Sequence, residues 1–419
     1  MRILMLTQWF DPEPTFKGLA FARELVRLGH EVQVLTGFPN YPGGKLYPGY
    51  KIRTLQRETI EGISILRVPL YPSHDASAVK RIANFASFAL SAAFLGTLLV
   101  KQADVMYVYH PPATVGFAAA VISLLRRIPF VYDIQDLWPD TLAATGMLHN
   151  RRILNLVGSG CRFIYKRAAK IVVLSPGFKA KLVEEGVPAG KIEVIYNWCD
   201  EDNIQRGETE DGFAEMLGID GRFTIVFAGT MGKAQALDAV LYAAKLVAGS
   251  QPAVQFVFVG GGIDVERLKR KAGEMGLTNT RFLPRMPIEE IGAILALADI
   301  LLVHLRDDPL FRITVPSKTQ AYMAAGRPLL MAVRGDAADL VQRAAAGVCC
   351  APEAPEAIAE AVLMLYAMPQ DEREQLGKNG RAFYMGELSL RAGVKRFEKL
   401  LQNTAGDLIG ERKNDKASL

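Results

Sequence analysis

The run Ile300-Leu301-Leu302-Val303-His304-Leu305, a charged loop, then Thr314-Val315-Pro316-Ser317-Lys318-Thr319-Gln320-Ala321-Tyr322-Met323-Ala324-Ala325-Gly326-Arg327-Pro328 and Leu329-Leu330-Met331-Ala332-Val333 reads as strand, helix, strand. The outer segments are continuous apolar runs, the pattern of strands covered on both faces. Pro316 and Ser317 suit a helix start, the alanine-rich middle favours helix, and Gly326 followed by Pro328 suits its stop. A helix entering between two parallel strands points its free N–H groups and the positive end of its dipole at the carboxyl edge of the sheet, which is an anion site. Ser317 and Lys318 in the first turn suit a phosphate. An ordinary capped helix of an α/β protein fits the same residues.

Working outward, the same alternation fills the chain. Strands are expected at Ile3–Leu6, Val32–Thr36, Ile63–Val68, Val105–Tyr109, Phe130–Asp133, Ile171–Leu174 and Glu193–Tyr196, with helices at Leu19–Leu28, Ala113–Leu125, Ile153–Arg167 and Pro176–Glu185 between them. After the polar, acidic stretch Asp200–Gly212, read as a linker, a second series follows. Its strands are Thr224–Ala228, Val254–Val259, Arg281–Leu283, Ile300–Val303, Pro328–Ala332 and Gly347–Ala351. Repeated βα units imply doubly wound, mostly parallel sheets. At 419 residues the chain is too long for one core, so two Rossmann-like domains with a cleft between them are expected. The expected divisions are 1–200, 201–385, a C-terminal helix at 386–402 packing back on the first domain, and a flexible tail at 403–419.

The net charge of +5 hides an asymmetry. Residues 1–200 hold 23 Lys+Arg against 15 Asp+Glu, or +8, and residues 201–419 hold 26 against 29, or −3. A basic first half suggests an anionic partner, and an anionic membrane surface is the one expected. No recognition motif supports nucleic acid. Four cysteines without metal-ligand spacing, and an N-terminus without a signal-peptide pattern, point to a reduced cytoplasmic setting. Ile82 to Val100 carries no charge and is long enough to span a bilayer, yet Asn84, Ser87 and Ser91 interrupt it between two strands of one sheet. An ordinary buried helix fits these residues, and between the two membrane readings a helix lying on the inner face is favoured over one that crosses it.

Several stretches together resemble the GT-B glycosyltransferases of family four. They are Gly29–Thr36 with Gly37-Phe38-Pro39-Asn40-Tyr41-Pro42, Asp136-Leu137-Trp138-Pro139-Asp140, Gly186–Asp200, Phe227-Ala228-Gly229-Thr230-Met231-Gly232-Lys233 and Pro316–Pro328. The resemblance implies a hexosyltransferase with retention of configuration, acting in bacterial O-antigen, capsule or related polysaccharide assembly. It implies a nucleotide-sugar donor, UDP-linked and including N-acetylated aminosugars, and a lipid-linked or oligosaccharide acceptor. The first domain is expected to face acceptor and membrane, and the second to bind the donor.

The expected chemistry follows from the leaving group. A nucleoside diphosphate gains negative charge as the glycosidic bond breaks, so preorganised donors at its phosphates lower the barrier. Gly229, Thr230, Met231, Gly232 and Lys233 follow a strand and precede a helix, so the backbone is expected to approach a phosphate that Lys233 neutralises. Thr314, Pro316, Ser317 and Lys318 serve the same diphosphate from the other helix, with Arg285 or Arg312 as a second cation. Asp136, at a strand end, is expected to be catalytic with Lys233. Gly18, Tyr41 and His110 are acceptor-side candidates, although a histidine beside a proline turn is more readily structural. No metal is expected, for lack of an Asp-x-Asp pair after a strand or a histidine cluster, and no cofactor beyond the donor.

Three departures from the family pattern stand out. Its paired glutamates fall at Ala321 and near Ile313, and its histidine before Asp136 is Gln135. Of its glycine pair in the loop after the first strand, only Gly18 remains. Glutamine does not titrate, so a base must be Asp136, Asp133 or the leaving phosphate itself. An epimerase of the same fold and a non-catalytic nucleotide-sugar binder are the competing readings.

Overall fold

Two sheets carry the chain, which divides into one unit of Met1–Tyr196 with Gly393–Leu419 and a second of Asn197–Ala392. The structure is a computed structural model and describes residues 1–73, 78–144, 148, 150–205, 212–219 and 221–417.

In the first unit the strands are β1 (Arg2–Leu6), β2 (Glu31–Gly37), β3 (Gln56–Ile60), β4 (Ile63–Val68), β5 (Val105–Tyr109), β6 (Phe130–Asp133), β7 (Lys170–Val173) and β8 (Ile192–Val194). They pair in the order β3-β4-β2-β1-β5-β6-β7-β8. Only β3 runs antiparallel, as a hairpin with β4. Its helices are α1 (Leu19–Arg27), α2 (Ala78–Leu99), α3 (Val115–Arg126), α4 (Asp140–Ala144), α5 (Arg151–Arg167) and α6 (Pro176–Glu184). Leu4 lies opposite Gln33 on one side and Met106 on the other, so β1 is central and every residue of β5 and β6 is buried. The strand order reverses between β1 and β5, and it is at such a switch that the carboxyl edge opens for a ligand.

The second unit opens with α7 (Glu201–Gln205), α8 (Phe213–Leu217), β9 (Phe223–Ala228), α9 (Asp238–Ser250), β10 (Val254–Val259), α10 (Val265–Glu274) and β11 (Thr280–Leu283). It continues with α11 (Ile288–Ala296), β12 (Ile300–His304), α12 (Pro309–Arg312), α13 (Ser317–Ala325), β13 (Leu329–Ala332), α14 (Asp336–Arg343), β14 (Gly347–Cys350), α15 (Pro355–Ala367) and α16 (Gln370–Phe383). The sheet order is β11-β10-β9-β12-β13-β14, all neighbours parallel, so the switch lies between β9 and β12. Leu301, Leu302, Leu329, Leu330 and Met331 are buried at the strand–helix–strand run that sets the topology.

Three expectations need correction. The stretch read as a linker contains α7, capped by Asp200, whose Oδ1 accepts from Asn203 N at 3.3 Å. A Cβ on Gly292 would sit 2.4 Å from Asn203 O, so α7 is packed directly on α11. The rest of that stretch, 206–211, lies outside the described residues. The C-terminal helix, α17 (Leu390–Ala417), also runs well past Asn403, where a tail was expected. Phe397, Leu400, Leu401, Thr404 and Ala405 are buried at helical spacing, and that apolar stripe carries the helix onward. Finally, β3 was not anticipated. It is an edge strand of alternating exposure, and its turn places Glu61 and Gly62 at φ 47° and 80°, without the Asn-Gly or Asp-Gly signal that marks such hairpins.

Candidate active site

The carboxyl edge at the β9/β12 switch gathers most of the expected donor residues. Beyond β9, Gly229 N donates to Val259 O at 2.8 Å and Met231 N to Gly261 O at 2.8 Å, so the loops after β9 and β10 run side by side. That closeness demands glycine. A Cβ on Gly260 would lie 2.1 Å from Gly229 O, and one on Gly262 would lie 2.1 Å from Met231 O. Both glycines also hold positive φ, at 138° and 145°.

The first turn of α13 meets this loop pair. Tyr322 locks the helix to the end of β9, because its OH accepts from Ala228 N at 2.7 Å and donates to Ala228 O at 3.0 Å. Lys318 Nζ then lies 3.5 Å from the centroid of the Phe227 ring and 3.3 Å from where a Cβ on Gly229 would be. Its stem is half-buried but its nitrogen is sealed from solvent, without a hydrogen-bond partner among the described residues. Burial accordingly pulls its pKa down to about 7. A ring face offsets only part of the cost of burying an ammonium. The arrangement therefore holds a cation ready for an anion at a glycine loop and a helix N-terminus.

The other expected donor residues divide. Thr230 and Lys233 are exposed on the loop, and Gly232 N donates to Gln235 Oε1 at 3.1 Å, which shapes the turn that begins at Lys233. Ser317 is exposed at the first turn of α13 and Pro316 is its N-cap. Met231 corrects the reading: its side chain is fully buried in the core, so only its backbone belongs to the loop surface. Arg312 is held by Asp307 at 2.9 Å, a carboxylate that Arg334 shares at 3.3 Å. Thr314 Oγ1 donates to Leu310 O at 2.8 Å. Arg285 is exposed beyond β11, the outermost strand. Sequence reasoning missed Phe227 as the ring beneath Lys318. It also missed His304, whose Nδ1 donates to Gln235 O at 2.6 Å while Nε2 accepts from Glu353 N at 3.0 Å. Burial lowers its pKa, so it stands as a neutral tether between three loops.

In the first unit, loops after β1, β2, β5 and β6 converge at the other switch. Lys17 and Asp133 form a fully buried ion pair at 2.6 Å. Tyr107 OH donates to Asp133 Oδ2 at 2.6 Å and Gln135 Nε2 to its Oδ1 at 2.8 Å. Every oxygen of the Asp133 carboxylate is thus engaged, and Gln135 has a concrete task as an amide donor. Asp136 is different. Burial raises its pKa, and it has no side-chain hydrogen bond among the described residues, nor does it cap α4, which begins only at Asp140. Of the two carboxylates, Asp136 is the one free to act.

Tyr41 stacks on Trp9 with centroids 4.2 Å apart, and its N–H donates to Glu13 Oε1 at 2.8 Å. Glu13 also accepts from Asn40 N and Phe10 N, and burial pushes its pKa up to about 7. Gly18 serves the chain itself: a Cβ there would meet Asp11 Oδ2 at 2.3 Å, and that carboxylate already accepts from Leu19 N at the start of α1. His110 is buried edge-on to Trp138 at 5.6 Å, accepts from Gln135 N at 3.4 Å, and is pulled by burial down to about 3. It is neutral at any ordinary pH. Among the described residues no group of three or more His, Cys, Asp or Glu is placed to hold a metal ion.

Comparison with known proteins matches both halves in order. Residues 19–198 match the glycosyl transferase 4-like domain, and residues 212–383 match the glycosyl transferases group 1 domain. The chain is 26% identical over 392 residues to the putative colanic acid biosynthesis glycosyl transferase WcaI of Escherichia coli K12, covering 88% of this chain and 93% of that protein. It is 27% identical over 270 residues to the probable glycosyltransferase WbjE of Pseudomonas aeruginosa, covering 64% and 67%. Among solved structures, Anabaena Alr3699/HepE in complex with UDP superposes with a TM-score of 0.71 at 16% identity, over 96% of this chain and all of that one. The two sheets and the two domain matches in succession make this chain a member of the GT-B glycosyltransferases of family four.

Proposed function

We propose that the protein transfers a sugar from a UDP-sugar to a lipid-linked or saccharide acceptor in bacterial surface polysaccharide synthesis, with retention and without a metal ion. The observation that carries the donor side is the sealed, unpaired Lys318 Nζ beside Gly229. A diphosphate there would complete its ion pair, accept from the free N–H groups of α13, and take the exposed Lys233 as a second cation. These groups supply the charge that a divalent ion supplies elsewhere, and they stabilise the leaving diphosphate as the bond breaks. A relative named for colanic acid biosynthesis and a structural neighbour holding UDP support the substrate class. On the acceptor side, Asp136 lies at a strand end with Trp138 and the Trp9–Tyr41 stack as apolar platforms for a sugar. Asp136 orients the acceptor hydroxyl, and the leaving phosphate takes its proton.

The test is donor turnover across a panel of UDP-sugars, N-acetylated aminosugars included, in EDTA and with proton NMR of the released anomer. Slow hydrolysis without acceptor, abolished by Lys233→Ala, is expected. No turnover of any donor, with UDP still bound, would instead indicate a non-catalytic binder.

A further inference from the structure

The first unit presents an apolar face that its fold leaves uncovered. Along α2 the residues separate into an inward and an outward row. Asn84, Phe88, Ala92 and Gly96 point inward and are buried. Ile82, Leu90, Phe94 and Leu98 point outward and are 62%, 72%, 69% and 62% exposed. The neighbouring helix continues the face: Phe117, Val121, Leu124 and Leu125 of α3 are exposed. Next, α5 fits against α3 at Gly160, where a Cβ would meet Phe117 Cζ at 2.8 Å, and Phe163 stacks on Phe117 at 6.1 Å. Leu156 on α5 is 73% exposed. Patches of this extent mark interaction sites.

Charge identifies the partner. Across α2, α3 and α5 there is not one Asp or Glu, while Lys80, Arg81, Arg126, Arg151, Arg152 and Arg162 lie on them. In a parallel sheet each crossover helix starts at the carboxyl edge. Lys80 and Arg81 near the start of α2, and Arg151 and Arg152 at the start of α5, are therefore at that edge. Arg151 and Arg152 make no ion pair among the described residues. An apolar stripe on helices whose own charged residues are all basic matches an anionic bilayer, with chains under the stripe and phosphates beside Lys80, Arg81, Arg151 and Arg152, although Glu185, the C-cap of α6, lies near Arg162.

We infer that the α2–α3–α5 face rests on an anionic lipid surface and that α2 holds the acceptor loops against it. The helix is long and apolar enough to cross a membrane, yet crossing would strip its inward row from the sheet. Asn84 Nδ2 donates to Tyr71 O at 2.7 Å and to Asn40 Oδ1 at 3.2 Å, and its Oδ1 accepts from Gln8 Nε2 at 2.6 Å. Phe85 meets Trp138 at 6.5 Å. Asn40 precedes Tyr41, and Trp138 follows Asp136, so the inner side of the lipid-facing helix touches two of the acceptor-side segments. This use of the face rests on the proposed transfer to a lipid-linked acceptor; the lipid contact itself does not.

Co-sedimentation with phosphatidylglycerol-containing vesicles tests it, alongside phosphatidylcholine vesicles and a salt series. Wild-type protein is expected to bind the anionic vesicles at low salt and to release at high salt. Phe94→Glu/Leu98→Glu is expected to bind at least tenfold more weakly, and Arg151→Glu/Arg152→Glu to lose the preference for anionic lipid. Ile288→Glu, an exposed apolar site on the second unit, should bind as wild type. Circular dichroism and UDP affinity, measured without vesicles, verify that each variant is folded and keep the donor reading separate. Wild-type protein that ignores anionic vesicles at low salt overturns the inference, as does a Phe94→Glu/Leu98→Glu variant that binds undiminished. A lipid-free dimer that dissociates on the same substitution also overturns it, by showing that a second copy covers the face.

Discussion

Lys318 concentrates the conflict between stability and binding in one atom. Its Nζ is sealed, lies over the Phe227 ring, and is drawn down to about 7. The folded state thus binds fewer protons here than the unfolded chain between about pH 7 and the ordinary lysine range. Stability arising from this residue must rise with pH across that window, and the full cost of the buried charge is felt below it. Lys318→Met is expected to stabilise the empty protein by about 1–3 kcal/mol at neutral pH, the usual cost of an unsatisfied buried polar group. The same change should weaken UDP binding at least tenfold, since a charge-assisted hydrogen bond contributes about 1.5–3 kcal/mol. Urea unfolding at pH 7 and pH 9, with calorimetric titration of UDP, reads both. A variant that is destabilised and binds normally would make Lys318 a purely structural residue. The lysine itself was legible from its place after Pro316-Ser317, but its burial was not. The ring beneath it comes from Phe227, 91 positions away in sequence, and only the β9–α13 contact through Tyr322 brings them together.

At the scale of elements, close approach decides more than propensity. Gly260→Ala would put a methyl 2.1 Å from Gly229 O at a φ of 138°, so the loops after β9 and β10 must part. The expected result is loss of UDP binding with a lower melting temperature, while Gly261→Ala, with open space around it, should bind normally. Phe397 is the corresponding keystone of the first unit. It packs edge-on to Phe21 at 5.3 Å and Tyr107 at 5.5 Å and lies over Lys17 Nζ at 4.8 Å. Phe397→Ala should cost about 3–5 kcal/mol by thermal or urea unfolding. The buried strands were all readable, because a run covered on both faces must be apolar throughout. What escaped were elements whose pattern is set by one contact. The exposed edge strand β3 shows weak alternation, and α16 has Gly377 and Gly380 where it crosses α13. Those glycines look like breakers in sequence. In the structure a Cβ on Gly377 would lie 2.1 Å from Gly326 O, so they are contact residues.

For the whole molecule, each of the two units has its own sheet, its own switch point and its own anion chemistry, and the two switches are differently filled. In the first unit the helix after β1 already has an anion, because Asp11 accepts from Leu19 N and crowds Gly18. In the second, α13 offers a cation without a hydrogen-bond partner, and N–H groups without a side-chain cap, among the described residues. This asymmetry explains why the glycine pair expected in the first-unit loop has shrunk to Gly18 while the glycines after β9 and β10 are intact. It also predicts where a nucleotide acts. Hydrogen–deuterium exchange with saturating UDP should show protection at Gly229–Lys233, at Gly260–Gly262 and in the first turn of α13. The Pro12–Gly18 segment should be unchanged. Binding that orders these loops slows their opening, whereas a segment already closed by its own carboxylate has nothing to gain. Protection that appeared first at Pro12–Gly18, with the second unit silent, would move the diphosphate to the β1 switch and displace Lys318 from the centre of the site.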